Sequence, residues 1–414
     1  MSKKLLVISY IWPEPSTTAA GSRMKQLLEA FLAFGYQITF ASTASKTEYS
    51  LDLETMDIAT VHIQLNHSSF DDFIQQLKPN VVMFDRFMVE EQFGWRVAEH
   101  APSALRILNT EDLHALRKSR EEALKKNQVF KIEDWKNHPT TLREIASIYR
   151  CDLTLMISSY EMEILQQKLK VPSDLLLCIP FMVDVGSISA EKKPPFDARN
   201  GFISIGNGKH APNVDGLKVL KNEIWPRIRH QMPKAEIQIY GAYLPQQVNE
   251  MHDPITGFYV SGWAEDAFRV LQSARVMLAP LRFGAGIKGK LLDAMQTGTP
   301  GVTTTIGGEG MHADLAWNGF IADDWEAFAQ AAVKLHQDQK SWESAQHNGN
   351  ALLQQLYDRQ SLQSSLGERL EHLVMDLEAH RSQNFIGKLL QHQTMNSTKY
   401  MAKWIEEKHK DQTL

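Results

Sequence analysis

Short apolar runs alternate along the chain with longer segments in which apolar side chains recur every three or four residues. The first run covers residues 5–9 and precedes a loop containing Gly21, after which a helix is predicted over about residues 22–34. Further apolar runs lie at residues 38–41, 61–63, 81–84, 105–108 and 153–157. This alternation is typical of a parallel sheet built from βαβ units. It predicts a first α/β domain over residues 1–185.

The apolar pattern breaks between residues 184 and 200, where lysines and prolines replace it. It restarts with runs at 202–205, 237–240, 258–260, 276–278 and 301–304. Two α/β series separated by a linker predict two doubly wound, Rossmann-like domains that face each other across a ligand-binding cleft. We place the linker at 186–200, the second domain at 201–375 and a C-terminal helical tail, expected to pack on the first domain, at 376–414.

The bulk composition limits the class of protein. A chain of 414 residues is long enough for two domains of this kind. Its formal net charge of −5 gives no indication of nucleic-acid binding, which usually shows as a basic domain or stripe. Cys151 and Cys178 lie at the edges of apolar runs, and we expect them to be free thiols in a reducing compartment.

No apolar run reaches the roughly 18 residues that a membrane-spanning helix needs, and the N-terminal run is too short for a secretory signal. We therefore expect a cytoplasmic protein. The tail contains aromatic and basic residues, among them Tyr400, Lys403 and Trp404. Packing on the first domain explains such an amphipathic helix, and peripheral attachment to the inner face of an anionic membrane is the alternative.

The segment at 279–300 carries the clearest chemical pattern. A predicted strand leads into the loop Gly284-Ala285-Gly286 and then into a helix that ends at Gly298. Open α/β sheets bind ligands at the carboxyl ends of their strands. Small loop residues let backbone amides approach an anion, and the helix N-terminus adds about half a positive charge.

Three side chains at the start of that helix fit a nucleoside diphosphate. Lys288 and Lys290 stand where they would offset a diphosphate, and Asp293 can accept hydrogen bonds from the 2′ and 3′ hydroxyls of a ribose. Each also has a simpler explanation, because the lysines could be solvated and Asp293 could pair with Lys290 on the surface. Their combination in the second of two Rossmann-like domains favours a ligand with both phosphate and ribose.

This segment resembles glycosyltransferase family 4, a large family of retaining enzymes with the GT-B fold. It is most similar to the branch that has Pro-Leu-Arg, a glycine-rich loop, a basic pair and an acid-Ala-Met helix. Other similarities follow in the same order along the chain. They are Gly206, Pro212, Asn213 and Asp215 with residues 225–228, the turn at 307–310 that contains Glu309, and the interdomain segment at 179–184.

Two departures from the family pattern bear on the chemistry. The wider family has two acids eight residues apart; the second is Asp293, but the first position holds Ala285. The contact of that first acid with the transferred sugar must therefore come from backbone amides or another residue. The usual Asn-Gly of the interdomain turn is replaced by Phe181-Met182.

Two places in the first domain are candidates for contacts with the donor or the acceptor. Gly21 and Arg23 open the first helix, where similar enzymes set a glycine near the donor phosphate; a flexible turn and a surface arginine are the alternative. Asp112 and His114 follow a strand end on the cleft side, where relatives place a histidine near the transferred sugar. Either could polarise the acceptor or stabilise positive charge on the sugar, and a helix cap with an exposed histidine explains them equally well.

The resemblance implies a GT-B-like protein that moves a sugar, with retention, from a nucleotide-diphosphate sugar to a glycan, a lipid-linked sugar or a protein. It implies no cofactor and no essential metal. The catalytic candidates are Asp112, His114 and Lys290. The candidate donor-binding residues are Gly21, Arg23, Gly206, Lys209, Gly284, Ala285, Gly286, Lys288, Lys290, Asp293 and Glu309.

Three other functions stay open at the level of sequence. A sugar-nucleotide epimerase on the same fold would bind the donor without transferring its sugar, and a phosphorylase would release sugar phosphate from a glycan. A catalytically silent nucleotide-binding scaffold subunit is supported by Ala285 in the acid position. Turnover that depends on an acceptor separates the transferase from the epimerase and the scaffold.

We expect sugar transfer to persist in EDTA. The sequence contains no Asp-x-Asp metal motif, and Lys288, Lys290 and the helix N-terminus can carry the phosphate charge. Initial rates with and without EDTA test this expectation. Complete loss of activity in EDTA, restored by Mn²⁺, would contradict it.

Overall fold

The computed structural model describes residues 3–190 and 193–410. Glu191 and Lys192 of the predicted linker and residues 411–414 of the predicted tail lie outside these ranges.

The first domain has a parallel sheet with helices on both faces. Its strands are β1 (Lys3–Ser9), β2 (Tyr36–Ser42), β3 (Ala59–His62), β4 (Val81–Asp85), β5 (Leu105–Asn109), β6 (Leu153–Met156) and β7 (Leu176–Cys178). Its helices are α1 (Ala19–Ala33), α2 (Ser69–Leu77), α3 (Phe87–His100), α4 (His114–Lys125), α5 (Ile132–Lys136), α6 (Pro139–Arg150) and α7 (Ser159–Leu169). The strand order is β3-β2-β1-β4-β5-β6-β7.

The second domain repeats this architecture. Its strands are β8 (Asn200–Ile205), β9 (Ile237–Tyr240), β10 (Phe258–Gly262), β11 (Ala274–Ala279), β12 (Gly301–Thr303) and β13 (Gly319–Ile321), in the order β10-β9-β8-β11-β12-β13. The helices from the linker onward are α8 (Val185–Ala190), α9 (Ala211–Val219), α10 (Trp225–Gln231), α11 (Gln246–Asn249), α12 (Ala267–Ser273), α13 (Gly289–Gln296), α14 (Thr305–Gly308), α15 (Trp325–Gln337) and α16 (Gln339–Leu356). The predicted pair of doubly wound domains is confirmed.

The strand order defines where ligands bind. In the first sheet β1 lies between β2 and β4, and in the second β8 lies between β9 and β11. The connections leave in opposite directions at these two positions, which opens a crevice at the carboxyl ends of the strands. Each predicted apolar run of the sequence corresponds to one of these strands. No predicted apolar run corresponds to β7 or to β13, each of which has only three residues.

The chain passes between the domains at two adjacent places. The backbone N–H of Val183 donates to the carbonyl of Tyr357 at 2.7 Å, and that of Arg359 donates to the carbonyl of Val183 at 2.9 Å. Helix α17 (Arg359–Met375) then runs along the first domain, where Leu366 and Leu370 are buried in its apolar core. The predicted second domain at 201–375 is therefore corrected: the chain returns to the first domain near residue 358, because the apolar face of α17 completes that core.

The tail consists of α18 (Leu377–Gln383) and α19 (Phe385–Lys410), and α19 packs against α3 and α6. Arg381 anchors it through Nε and Nη2, which each lie 2.7 Å from a carboxylate oxygen of the buried Asp152. The outer face of α19 leaves apolar side chains exposed, including Tyr400 and Trp404. None of the described helices is both long enough and apolar enough to cross a membrane.

We predict that Arg381→Gln lowers the free energy of unfolding by about 1.5–3 kcal/mol, because it removes charge-assisted hydrogen bonds from a buried carboxylate. Urea denaturation measures the change. Lys399→Gln, which removes an ion pair between α19 of the same tail and Glu99, is the matched control and is expected to cost under about 1 kcal/mol. Equal losses in the two variants would contradict the anchoring role.

Candidate functional site

A cleft of about 680 Å³ separates the carboxyl edges of the two sheets. Its first wall comes from the segments that follow β1, β4 and β5, and its second wall from those that follow β8, β9, β10 and β11. The cleft therefore lies at both points where the strand order reverses. Ten of the residues selected from the sequence line it: Asp112, His114, Gly206, Lys209, Gly284, Ala285, Gly286, Lys288, Lys290 and Asp293.

The N-terminus of α13 opens toward this cleft without a side-chain cap. The Nζ atom of Lys288 lies 2.9 Å from the Gly286 carbonyl oxygen, and Nζ of Lys290 lies 2.7 Å from Oδ1 of Asn213. Desolvation lowers the pKa of both lysines to about 8. Uncapped amides and two cations held by neutral partners make this end of the helix suitable for an anion.

Asp293 lies one turn further along α13 and lines the same cleft. Its nearest hydrogen-bond donor is Nε2 of Gln296, at 3.4 Å, and no cation among the described residues lies within ion-pair distance. The alternative in which Lys290 pairs with Asp293 is therefore excluded. Because a buried charge needs partners that this carboxyl group lacks, desolvation raises the pKa of Asp293 to about 7.

Two side chains of the first domain hold the glycine-rich loop in place. Nη1 of Arg120 donates to the Gly284 carbonyl at 2.8 Å, and the backbone N–H of Gly286 donates to Oε1 of Glu161 at 2.7 Å. Gly286 has a φ of 64°, and a Cβ atom there would lie 2.9 Å from the Cβ of Asp112. Glycine is required for both reasons. The sequence assigned the amide of Gly286 to an anion, but this amide is already bonded to Glu161, which corrects that part of the prediction.

Glu161 also corrects a local prediction from the sequence. The pair Ser158 and Glu161 predicts a capping box at the start of α7. In the structure Ser158 makes no side-chain cap, and Glu161 instead accepts hydrogen bonds from the backbone of Leu113 and Gly286. Its carboxylate therefore connects the two domains.

The candidate donor ligand Glu309 does not line the cleft. Its two carboxylate oxygens each lie 2.8 Å from an Nη atom of Arg120, whose side chain is 5% exposed. The assignment to the donor site is corrected: Glu309 neutralises the buried arginine that supports the glycine-rich loop.

Gly21 and Arg23 also lie outside the cleft lining, which corrects their assignment. A Cβ atom on Gly21 would lie 2.4 Å from the backbone carbon of Glu14, so glycine is needed for close packing of the loop. The guanidinium of Arg23 is fully buried and donates to the Ile179 carbonyl and to the side chains of Asn109 and Glu111. Arg23 therefore positions the first wall of the cleft and does not face a donor.

Asp112 and His114 lie together on the first wall. Nε of Arg117 is 2.6 Å from Oδ2 of Asp112, and Nε2 of His114 is 3.2 Å from Oδ1. Although burial opposes ionisation, Arg117 and then His114 hold the pKa of Asp112 well below its usual range. Desolvation lowers the pKa of His114 to about 4. At neutral pH the pair is an aspartate held by an arginine and a neutral imidazole.

Sequence reasoning missed Arg86, which follows β4 directly and lines the first wall. Its φ of 75° and ψ of 156° lie in a region almost confined to glycine. The position could have been found from the rule that ligands bind at strand carboxyl ends, since Arg86 is the first residue after a buried run. The unusual backbone has no signal in the sequence.

Contacts at the rim join the two walls. Tyr243 of the second domain lies 3.3 Å from a carboxylate oxygen of Glu14, and Asn207 donates to the Thr17 carbonyl at 3.1 Å. Nζ of Lys209 lies 3.6 Å from the centre of the Tyr243 ring, so this lysine contacts an aromatic face. His210, beside it, faces the cleft, where desolvation and Arg117 lower its pKa to about 4.

Within the described ranges, no group of three or more His, Cys, Asp or Glu side chains could hold a metal ion. Cys151 and Cys178 are free thiols.

The comparison with protein families matches residues 199–338 to the family described as glycosyl transferases group 1. A protein from the cps region of Klebsiella pneumoniae, described as uncharacterized, is 24% identical over 223 residues, which cover 52% of this chain and 55% of that protein. The chain thus spans about half the length of this curated relative.

Solved structures match over nearly the whole chain. Sucrose-phosphate synthase from Thermosynechococcus elongatus has a TM-score of 0.67 at 15% identity, over 90% of this chain and 99% of that one. HepE from Anabaena, solved with UDP and glucose, has a TM-score of 0.67 at 13% identity, over 89% and 99%. The protein has the GT-B fold. Residues 199–338, in its second domain, match the group 1 glycosyltransferase family, in agreement with the resemblance drawn from the sequence.

We predict that Glu309→Gln lowers the free energy of unfolding by roughly 3 kcal/mol, because it leaves the buried guanidinium of Arg120 without a counter-charge. Urea unfolding measures the loss. Glu326→Gln is the control, since Glu326 pairs with Arg227 at 3.5 Å in an exposed position and is expected to change stability by under about 1 kcal/mol. An unchanged midpoint for Glu309→Gln would show that Arg120 does not depend on this partner.

Proposed function

We propose that the protein is a retaining glycosyltransferase that takes a sugar from a nucleotide-diphosphate donor bound along the N-terminus of α13. The observation that carries the proposal is the arrangement of Lys290, Lys288 and Asp293 on one uncapped helix at the strand switch point. The two cations suit the diphosphate, and the unpaired carboxylate suits a ribose. No cofactor is needed for this chemistry, and no metal is proposed.

The leaving diphosphate gains negative charge as the bond to the sugar breaks. We infer that this charge is met by the amides at the start of α13 and by the ammonium groups of Lys288 and Lys290, which line the cleft. Preorganised donors of this kind commonly supply the largest single contribution to catalysis. Lys290 is the catalytic candidate of the pair, because Lys288 is turned back to the Gly286 carbonyl. The side chain of Asn213, which also lines the cleft, accepts a hydrogen bond from the ammonium group of Lys290.

The first wall supplies the groups nearest to the transferred sugar. His114 is neutral at physiological pH and can share hydrogen bonds with the sugar without adding positive charge to it. Asp112, held by Arg117, keeps a negative charge that favours cationic character at the anomeric carbon. The low pKa of Asp112 makes it a weak base, and this supports deprotonation of the acceptor by the departing phosphate, as retention implies.

The acceptor we propose is a glycan, a lipid-linked sugar or a protein, in the biosynthesis of a polysaccharide or glycoconjugate. The genetic origin of the Klebsiella relative, a cps region, supports this class. We place the protein in the cytoplasm, peripheral to the inner face of a membrane through the exposed apolar side chains of α19.

Ala285 favours one other function, a nucleotide-binding subunit without transfer activity. It lines the cleft and packs against the apolar core of the first domain, so it offers no charge to the sugar. Binding of nucleotide without turnover, in the presence of a range of acceptors, would favour this alternative.

We predict that affinity for the donor is highest between about pH 7 and pH 8. Below this range Asp293 is protonated and loses its charge-assisted hydrogen bonds to ribose; above it Lys288 and Lys290 lose their charge. Calorimetric titration with UDP-, GDP-, ADP- and dTDP-glucose from pH 6 to 9 measures the profile. The sugar diphosphate itself stays fully ionised over this range.

The variant Asp293→Asn is expected to weaken binding at least about tenfold at pH 7.5 and to remove the rise in affinity on the acidic side. Asp314→Asn, an exposed carboxylate of the same domain, is the matched control and should leave the profile unchanged. If none of the four donors binds, the proposed function is wrong. If a donor binds with the same profile to Asp293→Asn, Asp293 does not contact the ribose.

A further inference from the structure

Arg86 lines the first wall of the cleft, and the donor site described above does not use its guanidinium. Among the described residues none accepts a hydrogen bond from it or lies within ion-pair distance of it. A guanidinium carries five N–H donors in a rigid plane, and leaving them unused inside a protein is costly. The group therefore has free donors that face the cleft.

The backbone fixes where this side chain lies. The φ of 75° and ψ of 156° at Arg86 are strained for a residue with a side chain. The backbone N–H of Arg86 is held by the Asn109 carbonyl at 2.7 Å, and α3 begins at the next residue. Strain of this kind persists where surrounding structure imposes it, and it is concentrated at functional sites.

Nearby carboxylates balance the charge of Arg86, but they accept no hydrogen bonds from its guanidinium. Asp85, Glu111 and Asp112 raise the pKa of the guanidinium, although burial acts against this. Each of the three is already hydrogen-bonded to other side chains. These are Ser9 and Asn109 for Asp85, Asn109 and Arg23 for Glu111, and Arg117 for Asp112. Nearby carboxylates thus compensate the positive charge of Arg86, while the N–H donors of its guanidinium remain available to a ligand.

Arg86 and the proposed donor site lie on opposite walls of the cleft. The groups that suit the diphosphate and the ribose belong to the second wall, on α13, whereas Arg86 belongs to the first wall at the end of β4. A donor whose diphosphate and ribose lie along α13 brings only its sugar toward Asp112 and His114, and the rest of the space in front of the first wall is left to the acceptor. The planar fork of an arginine matches a carboxylate or a phosphate through two parallel hydrogen bonds.

We propose that Arg86 binds an anionic group on the acceptor, a carboxylate or a phosphate, and so selects acidic acceptors over neutral ones. This inference rests on the proposed transferase function. It adds a class of substrate that the donor site does not define.

Three probes with the same sugar ring test the inference: methyl glucoside, methyl glucuronide and methyl glucoside 6-phosphate. UDP, GDP, ADP and dTDP are first titrated into the full chain, and the probes are then added at saturation of the nucleotide that binds. We expect the dissociation constant of at least one anionic probe to be at least about tenfold below that of the neutral probe. The tighter anionic probe distinguishes an acidic sugar from a phosphate-bearing acceptor.

Arg86→Gln is expected to abolish this preference, and Arg86→Lys to retain only part of it, because lysine keeps the charge but loses the planar fork. Arg143→Gln removes an exposed arginine of the same domain and should keep the full preference. The nucleotide affinity of Arg86→Gln should stay within about twofold of the original. This readout also shows that the variant is folded.

Two results would overturn the inference while leaving the transferase proposal intact: equal affinities for the three probes, or a preference that survives in Arg86→Gln. A tenfold loss of nucleotide affinity in Arg86→Gln would assign the arginine to the donor and overturn it too. Failure of all four nucleotides to bind is a different outcome, which contradicts the proposed function itself.

Discussion

The contact of Arg120 with Glu309 and with the Gly284 carbonyl is the interaction on which the rest of the site depends. One guanidinium from the first domain holds both the glycine-rich loop and the turn after the next strand of the second domain. Because Glu161 also accepts a hydrogen bond from the amide of Gly286, two side chains of the first domain hold this loop of the second domain. The orientation of the two domains and the shape of the anion site are therefore one structural property. A change in either would alter the other.

The charged groups of the cleft are poorly solvated, and this shifts their pKa values. The pKa of Lys288 and Lys290 falls to about 8 and that of Asp293 rises to about 7, in each case because of desolvation. The nucleotide-sugar donor proposed above would supply the partners that water otherwise provides. Arg86 extends the same reasoning to the first wall, where free donors are held by a strained backbone. Both walls of the cleft thus carry polar groups that can form hydrogen bonds with a ligand.

The second domain could be predicted in more detail than the first. The loop, the basic pair and Asp293 are contiguous in sequence, so a local pattern places them at one strand end. Residues of the first wall follow several different strands, and their roles depend on contacts between side chains that are distant in sequence. No local pattern in the sequence therefore shows that Arg23 is buried against Ile179 or that Arg86 lines the cleft. Glu309 was misassigned because its partner Arg120 lies 189 residues away.

Hydrophobic periodicity in the sequence determined the two parallel sheets, the linker region and the strand ends that carry the site, because burial on both faces of a sheet imposes a pattern that can be read locally. The sequence also determined which chemical groups follow those strands. Only the tertiary structure decided that α17 completes the first core and that Glu161 reaches Gly286. It also decided that Arg86 has a positive φ and that its guanidinium has no partner among the described residues. These features depend on contacts between distant segments, and no spacing along the chain encodes them.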